Sequence, residues 1–148
     1  MHQRRKAREV ALQVLYELDV LNIDAKEAIS LFWNNFRATE DARKFSTLLI
    51  EGAWDNREQI DNLIRSCSEH WSLARMSRVD RNILRMAVYE LLYCPNIPPK
   101  VTLNEAIDLG KMYGSENSGS FINGILDAVY LKLYKETMKQ DVNGNYNT

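Results

Sequence analysis

Apolar residues recur at steps of three and four along nearly the whole chain, and no stretch alternates with the period of two that a half-buried strand requires. In the opening segment Ala7, Val10, Ala11, Val14, Leu15, Leu18 and Leu21 fall on one arc of a helical wheel, which predicts an amphipathic helix over residues 4–20. Asp24 followed by Glu27 has capping-box spacing and opens a second helix with Leu31, Phe32 and Phe36 inward. A third, long helix follows Thr39, with Phe45, Leu48, Leu49, Gly52, Ala53, Ile60, Leu63 and Ile64 at helical steps. Gly52 leaves room there for another helix to pass close.

A short helical piece around residues 68–76 carries Trp71, Leu73 and Met76. Ser77 with Asp80 repeats the capping spacing and starts a helix that is apolar on most sides from Val79 to Leu92, so it is expected at the centre of the molecule. Pro95, Pro98 and Pro99 stop it. Thr102 and Glu105 open a sixth helix that ends at Gly114 as a left-handed C-cap. The last helix starts near Ser115 and buries Phe121, Ile122, Ile125, Leu126, Val129 and Leu133. Residues 138–148 offer nothing to pack and read as a disordered polar tail. The expected fold is all-α, a compact bundle of about seven helices over residues 1–137, open to division into two helical subdomains meeting near residues 67–75.

At 148 residues, 45% apolar and 26% charged, the chain suits one domain with a real core. The net charge of -1 excludes a general polyanion binder, so any contact with nucleic acid must come from a local patch. One such patch is visible. Arg4, Arg5, Lys6 and Arg8 crowd the start of the first helix, where the helix dipole disfavours cations. Arg4, Arg5, Arg8, Leu12 and Tyr16 form a strip beside the apolar arc, and guanidinium groups next to a flat ring suit a single-stranded polyanion whose bases can stack. Composition alone leaves open a plain solvated helix start with a half-buried tyrosine.

Reactive chemistry is thin. Cys67 and Cys94 stand apart from each other and from any metal-ligand spacing, as do His2 and His70, so buried free thiols are expected and no metal or cofactor. The Gly- and Ser-rich segment at 114–120 lacks the preceding strand and trailing lysine of a phosphate loop, and a turn between two helices accounts for it. No catalytic set and no membrane-spanning apolar run emerge, and the expectation is a cytoplasmic protein that is not an enzyme.

Three segments together carry a resemblance. RRKAREVALQVLYELD at the start, WSLARMSRVDRNILRMAVYELLY in the middle and PPKVTLNEAIDLGKMYGSENSGSFINGILDAVY near the end resemble the NusB family of bacterial transcription antitermination factors. The resemblance covers most of the chain, in the same order and with similar gaps. It implies an all-helical RNA-binding protein that pairs with the ribosomal protein NusE. The pair would load onto single-stranded boxA of nascent ribosomal RNA and join the RNA polymerase antitermination complex. By the same resemblance the family's Arg-rich motif falls on Arg4, Arg5, Lys6 and Arg8, and its first-helix tyrosine on Tyr16. The aromatic of the FING motif falls on Phe121, with Asn117 just ahead. The acidic residue of the VDR motif falls on Asp80, which the resemblance places at the NusE contact. Asp80 also suits a capping carboxylate, and Phe121 also suits a core position. One departure stands at Ser120, where family members often carry a lysine, so one phosphate contact is missing and dependence on NusE is expected to be greater.

Two rival readings remain. One is the NusB-like accessory domain that precedes some RNA cytosine methyltransferases, disfavoured by the opening Met1 and by the lack of a cofactor loop. The other is a protein-interaction module that uses the Asp80 helix without touching RNA.

Overall fold

A computed structural model describes residues 2–35, 39–68 and 71–145. These form α1 (His2–Leu21), α2 (Ala25–Asn35), α3 (Glu40–Asp55), α4 (Arg57–Cys67), α5 (Arg78–Tyr93), α6 (Pro99–Tyr113) and α7 (Ser118–Asn145), with a short 3-10 turn at Leu73–Arg75. No strand occurs among the described residues, so the all-α reading holds.

The middle helix is the axis, as its apolar pattern predicts. α5 is buried along most of its length and packs against α1, α3, α4, α6 and α7. Leu15 and Leu18 of α1, Leu49 and Ile50 of α3, Ile60 and Ile64 of α4, Ile83 and Leu84 of α5 and Ile122 and Leu126 of α7 belong to one continuous core. Each contributes about 1.5–3 kcal/mol by leaving water. The two groups of helices share α5 and its core, so the chain does not divide into subdomains at residues 67–75. Gly52 lets α3 and α5 pack closely, because a Cβ there would overlap the ring of Tyr89 and force it to move.

Charged side chains on α5 tie the outer elements to it. Arg85 makes a paired contact with Asp61 of α4, Nε–Oδ1 2.9 Å and Nη2–Oδ2 2.9 Å. Arg81 reaches Asp19 at the end of α1, Nη2–Oδ2 2.7 Å, and also donates to the Leu73 carbonyl of the 3-10 turn. Burial pushes the Asp19 carboxyl up, but hydrogen bonds from Arg81 and Asn82 and the charges of Arg85 and Arg81 outweigh it and hold it below its ordinary value.

The cap at Ser77 forms as expected, and Thr39 caps α3 in the same way, their hydroxyls accepting the backbone N–H of Asp80 and Ala42 at 3.1 and 3.2 Å. Several other expectations are corrected. The long third helix is two helices, because the Asn56 side-chain amide takes the Gly52 carbonyl at 2.8 Å and competes with helical continuation. Leu31 and Leu48 face solvent, and Phe36 lies outside the described residues. α6 starts at Pro99, whose missing N–H costs nothing in a first turn, so Thr102 is no cap and instead donates its hydroxyl to Glu90 at 3.1 Å. Gly114 is extended, with φ -94°, and not left-handed. It is needed for space, since a Cβ would strike the Ser118 side chain, whose hydroxyl accepts the Ser115 N–H at 2.8 Å. α7 therefore starts at Ser118 and not at Ser115, and its described residues run to Asn145. Lys, Glu, Met and Gln in residues 135–140 favour continuation, and each added residue gains a backbone hydrogen bond without a new nucleation cost.

Candidate nucleic-acid interface

The four cations of α1 do not form one exposed strip. Residues three and four apart share a helix face, so Arg4 and Arg8 both turn toward α3, where their guanidinium carbons lie 4.7 and 5.2 Å from the centre of the Phe45 ring. Arg4 stays exposed at the rim of a groove of about 460 Å³ that Lys44 and Phe45 also line. Arg8, one turn deeper, is only 3% exposed and is locked to Glu90 of α5, Nε–Oε2 3.0 Å and Nη2–Oε1 2.8 Å. The expectation that Arg8 belongs to an outward-facing cationic surface is therefore corrected. Removing it from water is offset by the Glu90 pair and the Phe45 ring, and its burial leaves a phosphate no access to the remaining N–H groups. Leu12, the middle of the expected strip, is buried as well.

Arg5 turns the other way, onto α6. It bonds Glu105 (Nε–Oε2 3.1 Å) and Asp108 (Nη2–Oδ2 2.8 Å) while its side chain stays 44% exposed. The hydrogen bond and charge of Glu105, aided by Asp108, hold the guanidinium more firmly protonated than usual. A half-exposed pair of this kind contributes little and can be exchanged for a phosphate at low cost. Among the described residues Arg4 and Lys6 have no acidic partner.

Lys6 and Tyr16 come together at a second groove of about 350 Å³, between α1 and the end of α6. Tyr16 is 40% exposed on one wall, and Tyr113, which sequence reasoning passed over, stands on another. Burial raises the Tyr113 phenol above its ordinary value, and the charge and hydrogen bond of Glu9 add to this. The groove thus sets two phenol rings and an ammonium-bearing side chain around one space.

The remaining expected residues share a third groove, of about 300 Å³, at the start of α5 and the turn between α6 and α7. Asn117, Phe121 and Asp80 all line it, so the residues assigned from sequence to RNA and to a protein partner face the same space. Phe121 is only partly buried and stands edge-on to Trp71, ring centres 6.1 Å apart. Trp71 is 51% exposed and precedes the 3-10 turn, whereas the apolar pattern placed it within a short helical piece. Val79 lines the second groove and Asp80 the third, so the two are adjacent across the first turn of α5.

No group of His, Cys, Asp and Glu among the described residues is placed to hold a metal, and no described helix is long and apolar enough to cross a membrane.

The model of the NusB family matches residues 5–131. The chain belongs to the NusB family. Over 142 residues it is 66% identical to the transcription antitermination protein NusB of Syntrophus aciditrophicus, covering 96% of this chain and 88% of that one. The NusB of Desulfatibacillum aliphaticivorans is 48% identical over 136 residues, with 92% and 95% covered. Among solved structures, Thermotoga maritima NusB (T. maritima) aligns with a TM-score of 0.79 and 39% identity over 85% of this chain and 89% of that one. A crystal structure of the antitermination factors NusB and NusE in complex with dsRNA aligns with a TM-score of 0.80 and 32% identity, covering 89% and 98%. This NusB-family chain is thus a transcription antitermination factor and not an enzyme.

Proposed function

We propose that this protein binds single-stranded boxA RNA of nascent ribosomal transcripts together with NusE, in the cytoplasm, and delivers the pair to the RNA polymerase antitermination complex. The observation that carries this reading is the set of exchangeable cations and partly exposed rings that α1 and the neighbouring grooves present to solvent. Arg4, Arg5 and Lys6 supply phosphate contacts, Tyr16 and Phe121 supply stacking faces, and Asn117 offers an amide to a base edge. The NusB and NusE structure with dsRNA supports the pairing. Arg8 has no direct part, because its guanidinium is spent on Glu90.

The test is a gel-shift titration of boxA RNA at two salt concentrations, with and without NusE. Three phosphate contacts to a single strand give a log–log salt slope of about -2. The variant Arg4→Glu/Lys6→Glu should lose binding while keeping its helicity, and NusE should tighten wild-type binding. Full RNA affinity in that variant would overturn the proposal. NusE binding with no RNA effect would favour the pure interaction module instead.

A further inference from the structure

Arg5 and Arg8 stand within one turn of α1 and both hold carboxylates, yet the settings differ. The Arg8–Glu90 pair is closed, with side chains 4% and 2% exposed. Arg5 meets two acids of α6, Glu105 and Asp108, and the three side chains are 44%, 20% and 44% exposed. Both carboxylates take the same edge of the guanidinium: Glu105 accepts from Nε at 3.1 Å and Nη2 at 3.4 Å, and Asp108 accepts from Nη2 at 2.8 Å. No bond occupies Nη1 among the described residues. Two negative charges thus face one positive charge in the open. Glu105 and Asp108 are three residues apart on one helix face, so they also repel each other. α1 is seated by its packing on α2, α3 and α5, and an ion pair this exposed adds little to that. The second acid is more than the fold requires.

We propose that Glu105 and Asp108 form an autoinhibitory contact: they occupy Arg5 in place of RNA phosphate and hold down the affinity of the free chain for single-stranded RNA. This rests on the RNA-binding reading above. A carboxylate and a phosphate offer a guanidinium the same paired oxygens, so they compete for one fork. While Arg5 is engaged, an arriving strand meets Arg4 and Lys6 as its cations and an excess of negative charge at Arg5. To gain the third contact a phosphate displaces two carboxylates and stays within a Debye length of both, where salt screens their repulsion little. A lone anion has nothing to set against that cost. A strand already held at Arg4 and Lys6 does, because it presents its next phosphate at Arg5 with a high effective concentration. The acids therefore make engagement of Arg5 depend on several phosphates arriving together.

The experiment measures binding of the full chain to fluorescein-labelled boxA RNA by anisotropy at low salt, without NusE, as a double-mutant cycle. Glu105→Gln/Asp108→Asn should tighten binding by about tenfold, with helicity and urea midpoint close to wild type. In the Arg5→Met background the same two substitutions should tighten it by about threefold or less, because the competition has no arginine left to act on. An equal gain in both backgrounds would mean that the acids only repel RNA at a distance, and it overturns the proposal. Unchanged or weaker binding in Glu105→Gln/Asp108→Asn overturns it too, and a large fall in urea midpoint alongside assigns the contact to the fold. Asp108→Asn alone, at an exposed position, should tighten binding by about threefold, so it decides if the double variant folds poorly. RNA binding by the wild type with no gain in the variants overturns this inference alone, whereas no RNA binding by any of them, with or without NusE, overturns the RNA-binding function as well.

Discussion

Arg8→Met tests whether the first-helix arginine works for the fold and not for RNA. Its side chain makes two bonds to Glu90, and both partners are almost fully buried. Methionine fills much of the volume but leaves the Glu90 carboxylate with only the Thr102 hydroxyl. Breaking a buried pair from one side costs about 3–5 kcal/mol, a large share of the roughly 5–15 kcal/mol that holds a typical domain. With a urea slope of about 2 kcal/mol/M, the unfolding midpoint followed by circular dichroism should fall by about 2 M. Arg8→Met/Glu90→Met removes both charges and should recover most of the loss, leaving about 1 kcal/mol for the Thr102 hydroxyl without its acceptor. The double variant should also keep the wild-type salt slope for RNA. A single variant of wild-type stability that has lost RNA binding would refute the reasoning and return Arg8 to the interface.

Gly52→Ala should destabilise the α3–α5 contact by about 1–3 kcal/mol in urea titration, with partial recovery in Gly52→Ala/Tyr89→Leu, because the added methyl meets the Tyr89 ring. Asp19 has a folded value held below its ordinary 3.8, so the stability it contributes is fully present above that value and is lost as pH falls through the lower folded value. Asp19→Asn should therefore show a flatter fall in stability on acidification than the wild type, and identical acid profiles would count against the Arg81 and Asn82 contacts. Tyr16→Ala should weaken single-stranded RNA binding by about 1–3 kcal/mol in fluorescence titration while shifting the urea midpoint little, since the ring is exposed.

Hydrophobic periodicity is a local property, and it made most of the helices legible: the amphipathic first helix, the central α5 with its Ser77 cap, and the proline stop after it all stand where the chain predicts. The three family segments also made the antitermination role legible. What the chain alone did not reveal are pairings between residues far apart. Arg4, Arg5, Lys6 and Arg8 are alike in sequence, yet Arg8 is consumed by Glu90, Arg5 is shared with α6, and Arg4 and Lys6 end on different faces. A charge becomes structural or functional according to which carboxylate the fold brings within reach, and helical period carries no record of that. The same holds for the third groove, where Trp71, Asp80 and Phe121 come from three separate segments that only packing brings together.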